Sequence, residues 1–328
     1  MSLLVFIKLL AIVAVVAIGY VVGRARWLSP DSKDADPART MSYAAFYIFV
    51  PALLFRTTAR LDLNALPWGT LIAFFAPVAG AMLLVYVWQR HQNRNRKLPV
   101  AAPSVRAMEG CFGNTVQVGV PMATALFGEA GLAIHITIIS LHALTLMTMQ
   151  TALVELDLAR EHVRTTGSGS LLRTLRSTVY NTVVHPVVLP VLAGLIWNAT
   201  GVALPSVLDE ALVMLGSAVV PLCLVLIGIS LAYYGIGGAA KGAVIVSIVK
   251  LILLPLLVLV VAHWGLGLSG LPLSVVVIAA SLPVGSNAMI FAQRYGCLQA
   301  EASAAILLST VAFAATAPLW LLALAWLA

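Results

Sequence analysis

Apolar runs of about 18 residues or more recur from one end of this chain to the other, and this recurrence restricts the fold more than any other feature. A helix needs about 20 such residues to cross roughly 30 Å of hydrocarbon. With 61% of its 328 residues hydrophobic and 9% charged, the chain leaves no stretch for a separate soluble domain. The reading is an all-α integral membrane protein, because in lipid a helix satisfies its backbone amides and carbonyls internally.

Ten transmembrane helices can be drawn, at about 3–23, 40–57, 67–89, 105–126, 131–153, 181–199, 208–232, 242–263, 272–293 and 299–327. The first run is too long for a signal-peptide core and ends in GRARW, so it is read as a retained helix of a mature chain starting at Met1. The formal net charge of +7 is explained by placement. Fifteen basic residues (Arg24, Arg26, Lys33, Arg39, Arg90, Arg94, Arg96, Lys97, Arg106, Arg160, Arg164, Arg173, Arg176, Lys241 and Arg294) fall on one side, and two, Arg56 and Arg60, on the other. The positive-inside rule makes the first side cytoplasmic and both termini non-cytoplasmic, in the cell's inner (plasma) membrane. The expected partner of this charge is the lipid bilayer, with no nucleic acid. Cys111, Cys223 and Cys297 have no paired spacing, so neither a disulfide framework nor a metal site is expected, and no cofactor.

Self-similarity at a fixed offset divides the chain. FVPALLF at Phe49–Phe55 resembles VVPLCLV at Val219–Val225, with Pro51 and Pro221 170 residues apart. MATALFGEAGLA at Met122–Ala133 resembles MIFAQRYGCLQA at Met289–Ala300, with Phe127-Gly128 and Tyr295-Gly296 offset by 168. Residues 1–153 form a first five-helix repeat, 154–180 a cytoplasmic linker, and 181–328 a second five-helix repeat. Five is odd, so the second copy enters from the opposite side and the repeats are inverted. Inverted repeats mark secondary transporters, whose halves exchange roles around a midplane site.

The fourth span contains GNTVQVGVP and the ninth LPVGSNAM. Pro121 disfavours helix before it, and Gly119 loosens the backbone, so a break is expected near Val118–Pro121. Asn114, Thr115 and Gln117 then lie on the half-helix before the break, in reach of a bound substrate. In the ninth span Pro283, Gly285, Ser286 and Asn287 interrupt the apolar run. Freed backbone is tolerated at membrane depth only against protein or a wet cavity. The half-helix after each break is expected to offer amides and a positive dipole end to an anion.

NTVQVGVPMATALFGEAG and LPVGSNAMIFAQRYG resemble the fourth- and ninth-span patterns of the auxin efflux carrier family, whose bacterial members include permeases of malate- or malonate-like acids. The similarity extends over nearly all ten spans, and the two interrupted segments are its specific part. It implies two inverted five-helix repeats with helices 4 and 9 broken and crossed. Spans 1, 2, 6 and 7 would form a scaffold and the rest a transport unit moving in elevator-like alternating access, commonly in a homodimer. The function implied is an efflux carrier or permease for a small organic anion such as a mono- or dicarboxylate or auxin-like acid. Asn114 matches an asparagine near the substrate carboxylate, Pro121 the first crossover proline, and Val50 a scaffold position facing the substrate. Ala288 stands where plant members have the second crossover proline, so the plant auxin site does not transfer directly. The linker is also too short for a long regulatory insert.

Lys250 sits roughly 12 Å deep in the eighth span, at 1.5 Å per residue, where it either assists an anionic substrate electrostatically, braces the broken helix or reaches interfacial water. Proton coupling through a buried carboxylate has no obvious carrier; Glu109 is the nearest candidate, with a solvated helix-end glutamate as the favoured reading. His135 and His142 are about 10.5 Å apart along one helix, too far to share a metal, and are read as packing or helix-helix hydrogen-bonding residues. Lys8 is expected to snorkel, His91–Lys97 to set topology at anionic lipid, and LLRTLRSTVY to lie in the interface. An intramembrane enzyme would need a nucleophile with its base or a metal cluster, and neither is visible. A channel or sensor is the other alternative, disfavoured by the inverted repeat.

Overall fold

The computed structural model describes residues 3–28, 37–60, 67–93, 98–116, 118–166, 180, 183–184, 186, 188–234 and 239–327. Gln117, Lys33, the Arg94–Lys97 end of the basic cluster and the LLRTLRSTV segment lie outside them, as do the side chains of Lys8, Arg39 and Pro121. Among the described residues the chain is helical with no strand, and five helical runs are long and apolar enough to cross a bilayer.

Helix α1 (Leu3–Arg24) is followed by α2 (Pro37–Ala44), which passes through a π-helical turn into α3 (Val50–Ala59). Then come α4 (Trp68–Gln92), α5 (Ala102–Cys111), α6 (Gly119–His142) and, after a second π turn, α7 (Thr148–Thr166). The first part of the expected linker thus continues as helix. The second half contains α8 (Val188–Ala199), α9 (Ser206–Tyr234), α10 (Ala240–Ile248) and α11 (Leu254–Val260), the last two joined by a π turn. It ends with α12 (Gly270–Ser281), α13 (Asn287–Arg294) and α14 (Gln299–Ala325).

Two of the π turns immediately precede a proline-bearing helix start. Ala45–Phe49 leads to Pro51, and Val249–Leu253 leads to Pro255. A proline removes one amide and crowds the carbonyl four residues back, so the ladder widens there. For Pro255 that carbonyl belongs to Leu251, and it accepts the Trp320 indole Nε1–H at 2.8 Å.

Helix α6 is not one rod. Gly128 (φ 62°, ψ −157°) turns it sharply, so residues 119–127 form a short half-helix and residues 129–142 begin the next span. Gly296 (φ 64°) does the same after α13. Both are glycines because this left-handed backbone is strained for a residue with a Cβ.

Helices α1 and α9 pack together, as do α3 and α8. The first pair approach backbone to backbone: a Cβ on Gly228 would fall on the Val16 carbonyl oxygen and the Tyr20 amide. Small residues let membrane helices gain packing this way where lipid supplies no hydrophobic drive. On the other side, α5 packs on α4 and α13, while α12 packs on α6 and α11.

Candidate functional site

The fourth and ninth spans are interrupted where α5 ends at Cys111 and where α12 ends at Ser281. The two extended segments cross. Asn114 N–H donates to the Pro283 carbonyl at 2.8 Å, Gly285 N–H donates to the Phe112 carbonyl at 2.8 Å, and Gly113 and Val284 form an antiparallel bridge. A short strand pair at membrane depth is stable only if its remaining backbone groups are satisfied by protein. Several are: Val284 N–H donates to Ser309 Oγ at 3.0 Å, and the Ala280 carbonyl accepts Lys250 Nζ at 2.5 Å. His135 Nε2 lies 2.8 Å from the Thr115 carbonyl.

The first break therefore lies upstream of the expected position. It spans residues 112–118, and α6 starts at Gly119, which puts Pro121 inside the first turn. A proline is tolerated there because first-turn amides have no intrahelical acceptor. Asn114 and Thr115 are in the break itself. The expected free amides are also largely occupied. Gly119, Val120 and Met122 donate to the Asn114, Val116 and Val118 carbonyls, and Ala288 and Met289 donate to those of Gly285 and Ser286. The crossing therefore presents polar side chains rather than free backbone donors.

Those side chains meet at a cavity of about 110 Å³. Asn114 and Thr115 line it from the first crossing segment, and Ser286 and Asn287 from the second. Its other walls are Leu53 and Thr57 of α3 and Val219 and Val220 of α9. Asn114 is 4% exposed and Ser286 7%, so both present their polar groups inside the protein. Gly285 keeps the crossing tight: a Cβ there would lie 2.8 Å from the Gly113 carbonyl oxygen and 2.9 Å from Phe112 Cδ1.

Three expected residues stand elsewhere. Val50 is buried one turn from Leu53 and Leu54 and does not line the cavity. Ala288 is fully buried in the first turn of α13. Lys250, 1% exposed, sits behind the crossing, where its ammonium caps the Ala280 carbonyl at the C-terminal end of α12 and lies beside Gly113. A cation at a helix C-terminus is favourably placed against the helix dipole. His142, read as a packing or helix-helix hydrogen-bonding residue, packs on Phe112 with ring centroids 4.2 Å apart and planes tilted by 59°, and it also lines the cavity. Its only sequence signal is a titratable group within an apolar helix.

Comparison with known proteins gives the family. The family model described as membrane transport protein matches residues 4–321. An "Uncharacterized transporter" of Methanothermobacter thermautotrophicus is 26% identical over 87% of this chain and 88% of its own length. A Rhizobium meliloti protein named "Putative malonate transporter" is 23% identical, covering 82% of each chain. The Escherichia coli K12 "Uncharacterized transporter YfdV" is 24% identical over 95% of each. With nearly its whole length matched, the chain belongs to the membrane transport protein family, the auxin efflux carrier-like transporters that its interrupted segments resemble.

Proposed function

We propose that this protein is a secondary carrier of a small organic anion, a mono- or dicarboxylate, bound where the two interrupted segments cross. The observation that carries this reading is the cavity, where Asn114, Thr115, Ser286 and Asn287 from both segments converge against α3 and α9. At roughly 30 Å³ per water, its volume corresponds to about four waters, which suits an acid of a few heavy atoms. The malonate named for one relative is of that size class.

The carrier would be built as ten spans in two inverted five-helix repeats. Mapping the first repeat on the second turns the α1–α9 contact into the α8–α3 contact, and both pairs are packed. The same mapping relates Gly128 to Gly296, the two positive-φ glycines that end the half-helices after the breaks. In this reading α1, α3, α8 and α9 form the scaffold, and the crossing moves along it as an elevator between the two faces. The protein sits in the inner membrane with both termini non-cytoplasmic, and pairs as a homodimer through the scaffold.

The test is uptake of radiolabelled malonate, with a panel of other small carboxylates, into liposomes holding the purified protein. Saturable uptake is expected. Asn114→Ala should lose one or two hydrogen bonds to a charged ligand, about 1.5–3 kcal/mol, and so weaken apparent affinity by roughly ten- to a hundredfold. Unchanged kinetics at unchanged folded yield would remove Asn114 from the site.

A further inference from the structure

Glu109 lies on α5, five residues before Asn114, in the transport half of the molecule. It is 0% exposed, and neither carboxyl oxygen has a hydrogen-bond partner. The sequence reading of a solvated helix-end glutamate is thereby corrected. Among the described residues, the charged and titratable groups that face it are Arg106 on α5, Glu301 in the first turn of α14, and the Cys297 thiol just before α14. From α4 the nearby polar group is neutral Gln89.

Arg106 makes no hydrogen bond to Glu109 in this arrangement, because three of its five N–H donors are turned to other partners. Nε and Nη2 grip Glu301 at 2.6 and 2.9 Å, and Nη1 donates to Gln89 Oε1 at 3.0 Å. Glu301 is held from the far side as well, with its carboxylate seated where a Cβ on Gly242 of α10 would lie. Two buried carboxyl groups thus lie near one guanidinium, and Glu301 takes both of the carboxylate bonds it makes. An ionised carboxylate without a donor, closed off from water, is not supported by its surroundings, so Glu109 is the neutral acid of the pair. An apolar side chain of the same volume would fill this space without that constraint.

We propose that Glu109 is a proton-binding site that links transport to the proton gradient. In the arrangement described here its carboxyl keeps the O–H bond. When the crossing moves and water or Arg106 reaches it, that bond breaks, the proton leaves to water, and the carboxylate charge is taken up by the guanidinium. Arg106 keeps its pair with Glu301 and turns its remaining N–H donors to the Glu109 carboxylate. The transport consequence rests on the carrier reading above, whereas the protonation of Glu109 does not.

Two measurements test this. Infrared spectroscopy of the purified protein in nanodiscs at neutral pH should show the C=O stretch of a buried protonated carboxyl. It should be absent in Glu109→Gln, and also in Glu301→Gln, where the released Arg106 pairs with Glu109 and ionises it. In liposomes, with malonate as the probe, a pH gradient should change wild-type accumulation by up to about tenfold per pH unit for one proton. In Glu109→Gln, which keeps the shape of the neutral acid, accumulation should no longer follow the gradient. A band that persists in Glu109→Gln, or a gradient response equal to wild type, overturns the proposal. If wild-type protein moves neither malonate nor any carboxylate of the panel, the carrier reading fails by itself and the infrared result still decides whether Glu109 holds the proton.

Discussion

At the scale of single residues, the crossing tolerates almost no added volume. Gly285→Ala would set a methyl group 2.8 Å from the Gly113 carbonyl oxygen, a backbone atom already fixed by the bridge between the segments. Overpacking of this kind costs about 1–3 kcal/mol. The variant should therefore melt several degrees lower in detergent and transport poorly; a wild-type melting point would show that the segments can part. Asn114, Ser286 and Asn287 were legible in sequence because polar groups in an apolar run are expensive unless they have a use. Ser309 and His142 were not legible. Serine in a helix ordinarily bonds its own preceding turn, and here Ser309 Oγ reaches the Ile306 carbonyl as well as receiving Val284 N–H. Only the crossing of distant segments gives it a second partner. Glu109 shows the opposite failure: a charge near a helix end looks solvated until the α14 helix is laid over it.

At the scale of helices, proline position misleads by a few residues for a physical reason. Pro121 marks the start of a helix and not the interruption before it, so the break was expected later than it falls. Pro255 instead sits after a π turn and creates a carbonyl that needs an outside donor. Trp320 on α14 is that donor, at 2.8 Å, and so ties α14 to the turn that carries Lys250. Trp320→Phe removes it and should cost about 1–3 kcal/mol, read as a lowered melting temperature. Adding Pro255→Ala restores an amide in the helix that can serve Leu251 instead. The double variant should then recover part of the loss, and two simply additive losses would refute the pairing.

At the scale of the whole molecule, long-range contacts sort the helix ends into the same two groups as the charges do. Arg60 bonds Asp209 at 2.9 Å, and Asn198 Nδ2 donates to the Ala59 carbonyl at 3.0 Å, which joins the 60s end to the ends of α8 and α9. At the opposite end, Arg106 meets Glu301, Arg90 meets Asp157 at 3.3 Å, and Tyr295 donates to Glu155 at 3.1 Å. Contacts alone do not say which face is which; in the topology proposed above, from the fifteen-to-two split of basic residues, the Glu301 end is the cytoplasmic one. Thr200 is exposed at the first end and Gln92 at the second. The native cysteines Cys111, Cys223 and Cys297 are all buried and give little background for thiol labelling. In intact cells, Thr200→Cys should react with a membrane-impermeant maleimide and Gln92→Cys should react only after the membrane is permeabilised. The reverse pattern would turn the molecule over, and with it the face to which the Glu109 proton is released.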